Sequence, residues 1–362
     1  MKKLDIYITK KFLGTFFLAL LLIICITIVF DLAEHLDEFI NSDVSTNEII
    51  FDYYLNFIPY FANLYSSLFV FIAVIFFTSK MSSNSEIVAI LSSGISYLRL
   101  AAPYAFSALL IGLFSFTLNS FIIPHANTTR LEFTNNYLRN PYANNDRNIH
   151  KQVRPGTFVY IQHYNNKQNI GYKFSLEKYD LESKKLVSKL MSDYAKWDST
   201  KNKWTVKNYY IRNFDSINEE IIDGIGKSID TSIYIKPSDF GRKQKFEETM
   251  TTPQLVNYIK DLKLQGADDI KTYYIEKHKR IAFPFSAFVL TIIGFTLSSK
   301  KVKGGMGLHL GLGIVISFAY ILFMQFSSQF SIKGDLDPFI AVWIPNILFG
   351  IIAIILYRTA QK

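Results

Sequence analysis

KKFLGTFFLALLLIICITIVFDLAEHLDEF, residues 10–39, decides how the chain has to be read. Two lysines open it, 19 mostly apolar residues run from Phe12 to Phe30, and Asp31, Glu34, Asp37 and Glu38 close it. A helix needs about 20 mostly apolar residues, at about 1.5 Å each, to cross a hydrocarbon core about 30 Å thick. The basic start is that of a secretory leader, yet the run leads into DLAEHLDEF and not into a small-residue cleavage site. The stretch therefore reads as a retained membrane anchor.

Five further stretches meet the same test: 58–78, 98–123, 281–297, 306–326 and 339–356. Each is nearly free of charge, and Pro59, Pro103, Pro284 and Pro345 sit mostly near their ends, where a missing backbone donor matters least. The expected architecture is an α-helical polytopic membrane protein with six transmembrane helices. Residues 1–123 hold the first three and residues 281–362 the last three.

Lys and Arg in the short loops orient the spans. The N-terminus, the 79–99 loop, the 298–305 loop and the C-terminus alternate as one side, and together they carry eleven basic residues against Asp5 and Glu86. The opposite loop, Asp31 to Asp52, has seven acids and no Lys or Arg. Both termini are thus expected in the cytoplasm. The remaining 28 basic and 28 acidic residues balance, so the whole net charge of +9 lies on that rim. Nucleic-acid binding loses its main support. Cys25 stands alone, which excludes an intrachain disulfide.

Residues 124–280 form the expected domain on the outer, non-cytoplasmic side. GTFVYIQHY (156–164), GYKFSLEKYD (171–180), KLVSKLMSDYAKWD (185–198), KWTVKNYYIRNFD (203–215) and SIDTSIYIKP (228–237) alternate with a period near two. Five or more antiparallel strands in a sandwich or jelly-roll-like domain follow, with exposed edges along 156–164 and 228–237 open to a similar domain. A helix with Thr252 as N-cap, Pro253 at its first position and Gly266 past its end returns the chain to the membrane.

Chemistry-bearing motifs are few. Gly226-Lys227-Ser228 would need glycine where Ile221 stands to be a phosphate loop. Gly307 and Gly311, four apart in an apolar span, suit close helix contact. The six histidines, His309 in the fifth span among them, show no metal-ligand spacing, so neither a catalytic nor a metal site is assigned. The informative segment is KMSSNSEIVAILSSGIS, residues 80–96. Ser83 and Glu86 have capping-box spacing, Ile87, Val88, Ile90 and Leu91 give an apolar face, and Gly94 can end the helix. Over 81–95 the one charge is the acid Glu86, which would repel anionic lipid, so a short helix there is better suited to a protein partner.

LDIYITKKFLGTFF at the start, SEIVAILSSGIS, MTTPQLVNYIKDLKLQG and the Pro-containing fourth span after Lys279-Arg280 resemble the LptF/LptG permease family, which exports lipopolysaccharide. The start and MTTPQLVNYIKDLKLQG look more like LptG. The resemblance implies a permease subunit paired with a second LptF/LptG-type subunit, an LptB-type ATPase dimer that holds ATP and Mg, and an LptC-type bridge receiving lipopolysaccharide or lipooligosaccharide. It implies no cofactor in this chain. Glu86, with Ile87 and Leu91 on the coupling helix, would meet the ATPase, and spans one and five would line a lateral opening. Arg130, Lys279 and Arg280, at the outer ends of spans three and four, are expected head-group contacts. The family's enteric subunit carries basic residues just past the first span, where this chain has acids. Competing readings are a lipid transporter not driven by ATP, weakened by spans without midmembrane charges, and a membrane-anchored scaffold or sensor.

Overall fold

The structure, a computed structural model, describes residues 3–138, 147–166, 168–215, 218–231, 233, 235, 237, 240, 245–267, 269–300 and 305–360. The chain divides into a helical unit (Met1–Leu138, Glu247–Leu255, Lys271–Lys362) and a sheet unit (Arg139–Phe246, Val256–Ile270). The helical unit is made of α1 (Lys3–Glu34), α2 (Leu36–Asn41), α3 (Thr46–Glu48), α4 (Leu55–Ser83), α5 (Glu86–Ser92), α6 (Tyr97–Thr117), α7 (Ile123–Phe133), α9 (Ile270–Ser298), α10 (Gly305–Lys333) and α11 (Pro338–Thr359), with α8 (Thr252–Gln265) beginning in it. Six stretches are long and apolar enough to cross a membrane, and they contain the six read from the sequence.

The helices outrun the apolar runs. A π-type turn, Leu118–Ile122, joins α6 to α7, and the second such turn after α7 carries the third span to Leu138. Residues 124–138 and 271–280, expected in the outer domain, thus belong to the helical unit. Apolar length marks only what hydrocarbon must cover, whereas Ala126, Leu131, Phe133, Tyr273 and Ile275 continue a buried face beyond it.

Ile8, Phe12, Phe16 and Leu20, spaced one turn apart on α1, pack with Val70, Val74 and Phe77 of α4 and Leu100 and Tyr104 of α6. The opposite side of α4, through Phe71 and Ile75, packs with α9, α10 and α11. Glycine permits the closest approaches. A Cβ on Gly294 would meet Val74 at 3.0 Å and the Phe71 ring at 3.1 Å, and one on Gly313 would meet Ile75 at 2.6 Å. At Gly307 and Gly311 nothing lies within 4 Å, so the close helix contact expected there is made instead at Gly313, one turn or so deeper into the bundle.

The sheet unit holds six antiparallel strands in sequential order: β1 (Arg147–Arg154), β2 (Thr157–Asn165), β3 (Ile170–Tyr179), β4 (Leu186–Asp198), β5 (Lys203–Asp215) and β6 (Asn218–Thr231). This is the inserted β domain, built as one meander among the described residues. Because β1 pairs with β2, the 156–164 strand is internal and not an edge; the edges are β1 and β6. The expected strand at 228–237 is the end of β6, and parts of its second half lie outside the described residues.

Val159 faces Leu176 and Ala195 faces Val206, and Ile161, Phe174, Ile235 and Phe240 share the same core. The buried Trp204 indole donates to the Ile235 carbonyl at 2.8 Å. Buried neighbours along a strand are nevertheless odd numbers apart: Ile161 and Tyr164 on β2, Leu190 and Ala195 on β4. Between them runs one row, Gln162, Lys173, Asp193 and Asn208, aligned by the strand registers, in which Lys173 and Asn208 take left-handed φ of 51°. Such bulge residues interrupt the ladder and reverse which side chains point inward. Gly226, at φ 75°, lies opposite this row and donates its N–H to Asn208 Oδ1 at 3.1 Å, so its triplet serves a β-bulge.

Helix α8 begins one residue from its expected cap. Thr251, not Thr252, precedes the first turn, and Gln254 Oε1 accepts from the Thr251 N–H at 2.9 Å as the reciprocal half of a capping box. Gly266, at φ 62°, ends it as read, with the Ala267 N–H reaching back to Leu262.

Candidate functional site

Helix α5 is held by its own bundle at one end and left open at the other. Helix α4 ends at Ser83, Ser85 turns the chain through a left-handed φ of 62°, and α5 starts at Glu86. The Ser83–Glu86 capping box therefore does not form. Glu86 is instead held by neutral donors: Asn84 Nδ2 reaches Oε1 at 3.1 Å and the Tyr7 hydroxyl reaches Oε2 at 3.4 Å. Ile87 is only 2% exposed and packs into the core formed by α1, α4 and α6, with Leu91 half-buried beside it. The apolar side chains turned outward are Val88 and Leu98, 58% and 69% exposed.

The nearest basic residue on the following helix is already used. Arg99 makes a two-pronged bond to Asp5, 2.7 Å and 2.8 Å, which ties α6 to the first turn of α1. No cation meets Glu86 among the described residues. The Asp5–Arg99 pair and the Tyr7 contact were not read from the sequence. Their signal lay in the LDIYITK start, whose Asp5 entered the reading only as a count of charge.

At the other end of the bundle, α7 presents Arg130, which is 8% exposed. Its guanidinium lies 4.6 Å from the Tyr60 ring centroid, a cation–π distance, and Nε and Nη2 have no hydrogen-bond partner among the described residues. Arg280 is different. It is 2% exposed, and its donors go to Glu276 at 2.9 Å, to Thr252 Oγ1 at 3.2 Å and to the Glu247 carbonyl at 3.2 Å. It braces the start of α8 against α9. Lys279 beside it is half-buried. The structure thus separates the three expected head-group residues: Arg130 keeps unused donors, while those of Arg280 are spent on the protein. In the acidic segment, Asp31 accepts from the Tyr53 hydroxyl at 3.1 Å and sits 3.7 Å from His35 Nδ1.

The spans differ sharply in how much of them the chain itself covers. In α4 and α9 61% of the span is buried, against 22% in α1 and 28% in α10. A helix with so little protein around it offers its length to lipid or to another subunit. Against this geometry, the model of the lipopolysaccharide export system permease LptF/LptG matches residues 6–359. The chain belongs to the LptF/LptG family. Comparison with curated proteins returns no match. Membership makes this LptF/LptG-family chain a multi-pass inner-membrane permease subunit of lipopolysaccharide export, and the family is not one of enzymes.

Proposed function

We propose that the chain is the membrane half of an ATP-driven lipid extractor whose ATPase, an LptB-type dimer carrying ATP and Mg, docks at α5. The observation that carries this is Glu86: a carboxylate with two neutral donors, no cationic partner among the described residues, and exposed Val88 and Leu98 next to it. The buried Ile87 and half-buried Leu91 then transmit movement of α5 into the core. Docking to a cation on the ATPase completes the pairing that Arg99, bound to Asp5, does not supply.

A second LptF/LptG-type subunit covers the bare faces of α1 and α10, and lipopolysaccharide or lipooligosaccharide enters between them. Arg130, with Lys279 at the same end, takes a lipid phosphate, for which its two unused donors are suited. The sheet lies in the periplasm and passes lipid to an LptC-type bridge through the β6 edge, where Ile221 and Ile225 are 63% and 59% exposed.

The test is Glu86→Gln, which keeps size and removes charge. Losing a desolvated charge partner costs on the order of 2–5 kcal/mol, whereas losing a cap costs about 0.5–2 kcal/mol and would leave the bundle folded. The variant is expected to insert normally while ATPase copurification and lipid export fall together. Wild-type assembly and export would reduce Glu86 to a residue of local structure.

A further inference from the structure

On the face of the sheet turned away from its core, β1, β2, β3 and the turn after β3 surround a cavity of ≈ 490 Å³. His150, Phe158, Glu177, Tyr179, Leu181 and Lys184 line it. A smaller hollow of ≈ 240 Å³ shares His150, Phe158 and Glu177 with it and runs on to Tyr160, Ser175 and Lys189. The registers explain the trough. His150 stands opposite Tyr160, Tyr160 opposite Ser175, and Phe158 opposite Glu177. Ser175 is the small member of a row of large side chains, so the hollow opens above it.

We propose that this trough is a saccharide subsite, occupied by the sugar portion of the transported lipid. A pyranose ring has an apolar C–H face and a rim of hydroxyls, and the walls match both. Phe158 and Tyr179 meet edge to face at 5.6 Å, and the His150 ring lies against Tyr160 at 4.7 Å, tilted by 48°, which gives aromatic walls. Glu177 is fixed as an acceptor by Lys189 at 2.8 Å and by the Tyr179 hydroxyl at 3.1 Å. Those two contacts hold its carboxyl below the usual range, Lys189 more than Tyr179, so it is ionised and cannot donate at neutral pH. His150 and Lys184 supply donors at the rim.

Other ligands fit less well. Glu177 and Asp180 oppose Lys184 and Lys189, so a bare phosphate or a simple cation meets its own charge on one wall. An acyl chain would take water from the Glu177–Lys189 pair and from Lys184 and offer no hydrogen bond in return. Small-molecule sites typically occupy about 300–1,000 Å³ and combine aromatic walls with a few placed polar groups, which is the constitution here. The saccharide site stands on this geometry alone; its assignment to the exported lipid rests on the proposed function.

The test is titration calorimetry on the full-length chain in lipid nanodiscs, with lipid-free core oligosaccharide released from lipopolysaccharide as one probe and maltotriose as the other. Saturable binding of the core oligosaccharide is expected, weakened about three- to tenfold by Phe158→Ala, as loss of one aromatic contact predicts. His150→Ala should weaken it in the same direction. Both side chains are solvent-exposed, Phe158 by 39%, so thermal unfolding reports whether the variants remain folded. No saturable binding, or binding indifferent to both substitutions, overturns the site. Equal binding of maltotriose overturns its assignment to the exported lipid. Neither titration needs an ATPase, so failure of the docking reading at Glu86 would leave this result standing, and the reverse also holds.

Discussion

Arg99, Arg130 and Arg280 are the same residue type under three different constraints. Arg99 is bound at both prongs to Asp5, each guanidinium nitrogen of Arg280 donates within the protein, and Arg130 lies over Tyr60 with Nε and Nη2 unused among the described residues. The Asp5–Arg99 pair is lopsided: the Asp5 side chain is 9% exposed and that of Arg99 41%. Arg99→Ala therefore takes a bidentate partner from a mostly buried carboxylate, whereas Asp5→Asn frees an arginine that water can reach. Melting curves should show the larger loss for Arg99→Ala, with the double variant recovering part of it; equal losses would contradict the asymmetry. None of this was legible in the sequence, because partners 94 residues apart leave no local spacing to read. Gly94 was legible because its constraint is local, a glycine at φ 86° past the end of α5, whereas Glu86, expected to box with Ser83, is held by Asn84 and by Tyr7, 79 residues away. A second residue-scale expectation concerns acid. Since Lys189 and Tyr179 lower the Glu177 carboxyl when folded, the pair stabilises the sheet above the unfolded carboxylate range. That contribution is lost as pH falls through the lowered folded value. Glu177→Gln should flatten this acid limb in pH-dependent unfolding, and an unchanged limb would remove the pair from the account.

Among elements, helices and strands were unequally readable for a physical reason. A span must be apolar along its whole length, which any window detects, and all six stretches fall within observed helices. A strand shows itself by alternation, and the Gln162–Lys173–Asp193–Asn208 row reverses alternation midway along β2 to β5. The sequence pattern thus located the strands but hid which residues face the core. β1 was missed altogether, since RNIHKQVR has little apolar content. Helix contacts were half legible. The motif of small residues was recognised, but the spacing favoured Gly307 and Gly311 over Gly294 and Gly313, and only contact partners distinguish them. Gly294→Val and Gly313→Val should each overpack the α4 contact at a cost of about 1–3 kcal/mol. Gly311→Val should be nearly silent in the isolated chain, because nothing lies within 4 Å of it. Unfolding in detergent separates the cases, and equal melting temperatures for all three would refute the packing assignment.

For the whole molecule, the structure fixes which residues share an end, and charge then predicts the compartment. Tyr7 with Glu86, Asp5 with Arg99, Tyr97 with Ser299 and Lys300 with Thr359 gather the N-terminal turn, α5 and the ends of α9 and α11 together. Asp31 with Tyr53 and Arg280 with Thr252 belong to the opposite end. The first group coincides with the loops that hold eleven basic residues, the second with the stretch of seven acids. The positive-inside rule predicts that the first end is cytoplasmic. With Cys25→Ala as background, a cysteine at Ser93 should react with a membrane-impermeant maleimide only after lysis, and one at Ser199 should react in cells with a permeabilised outer membrane. Both positions are exposed, so accessibility reports sidedness and not burial. The reverse pattern would do more than invert the drawing. It would place Glu86 where no ATP is available and would put the sheet on the ATPase side, so the docking proposal and the path through β6 would fall with the topology.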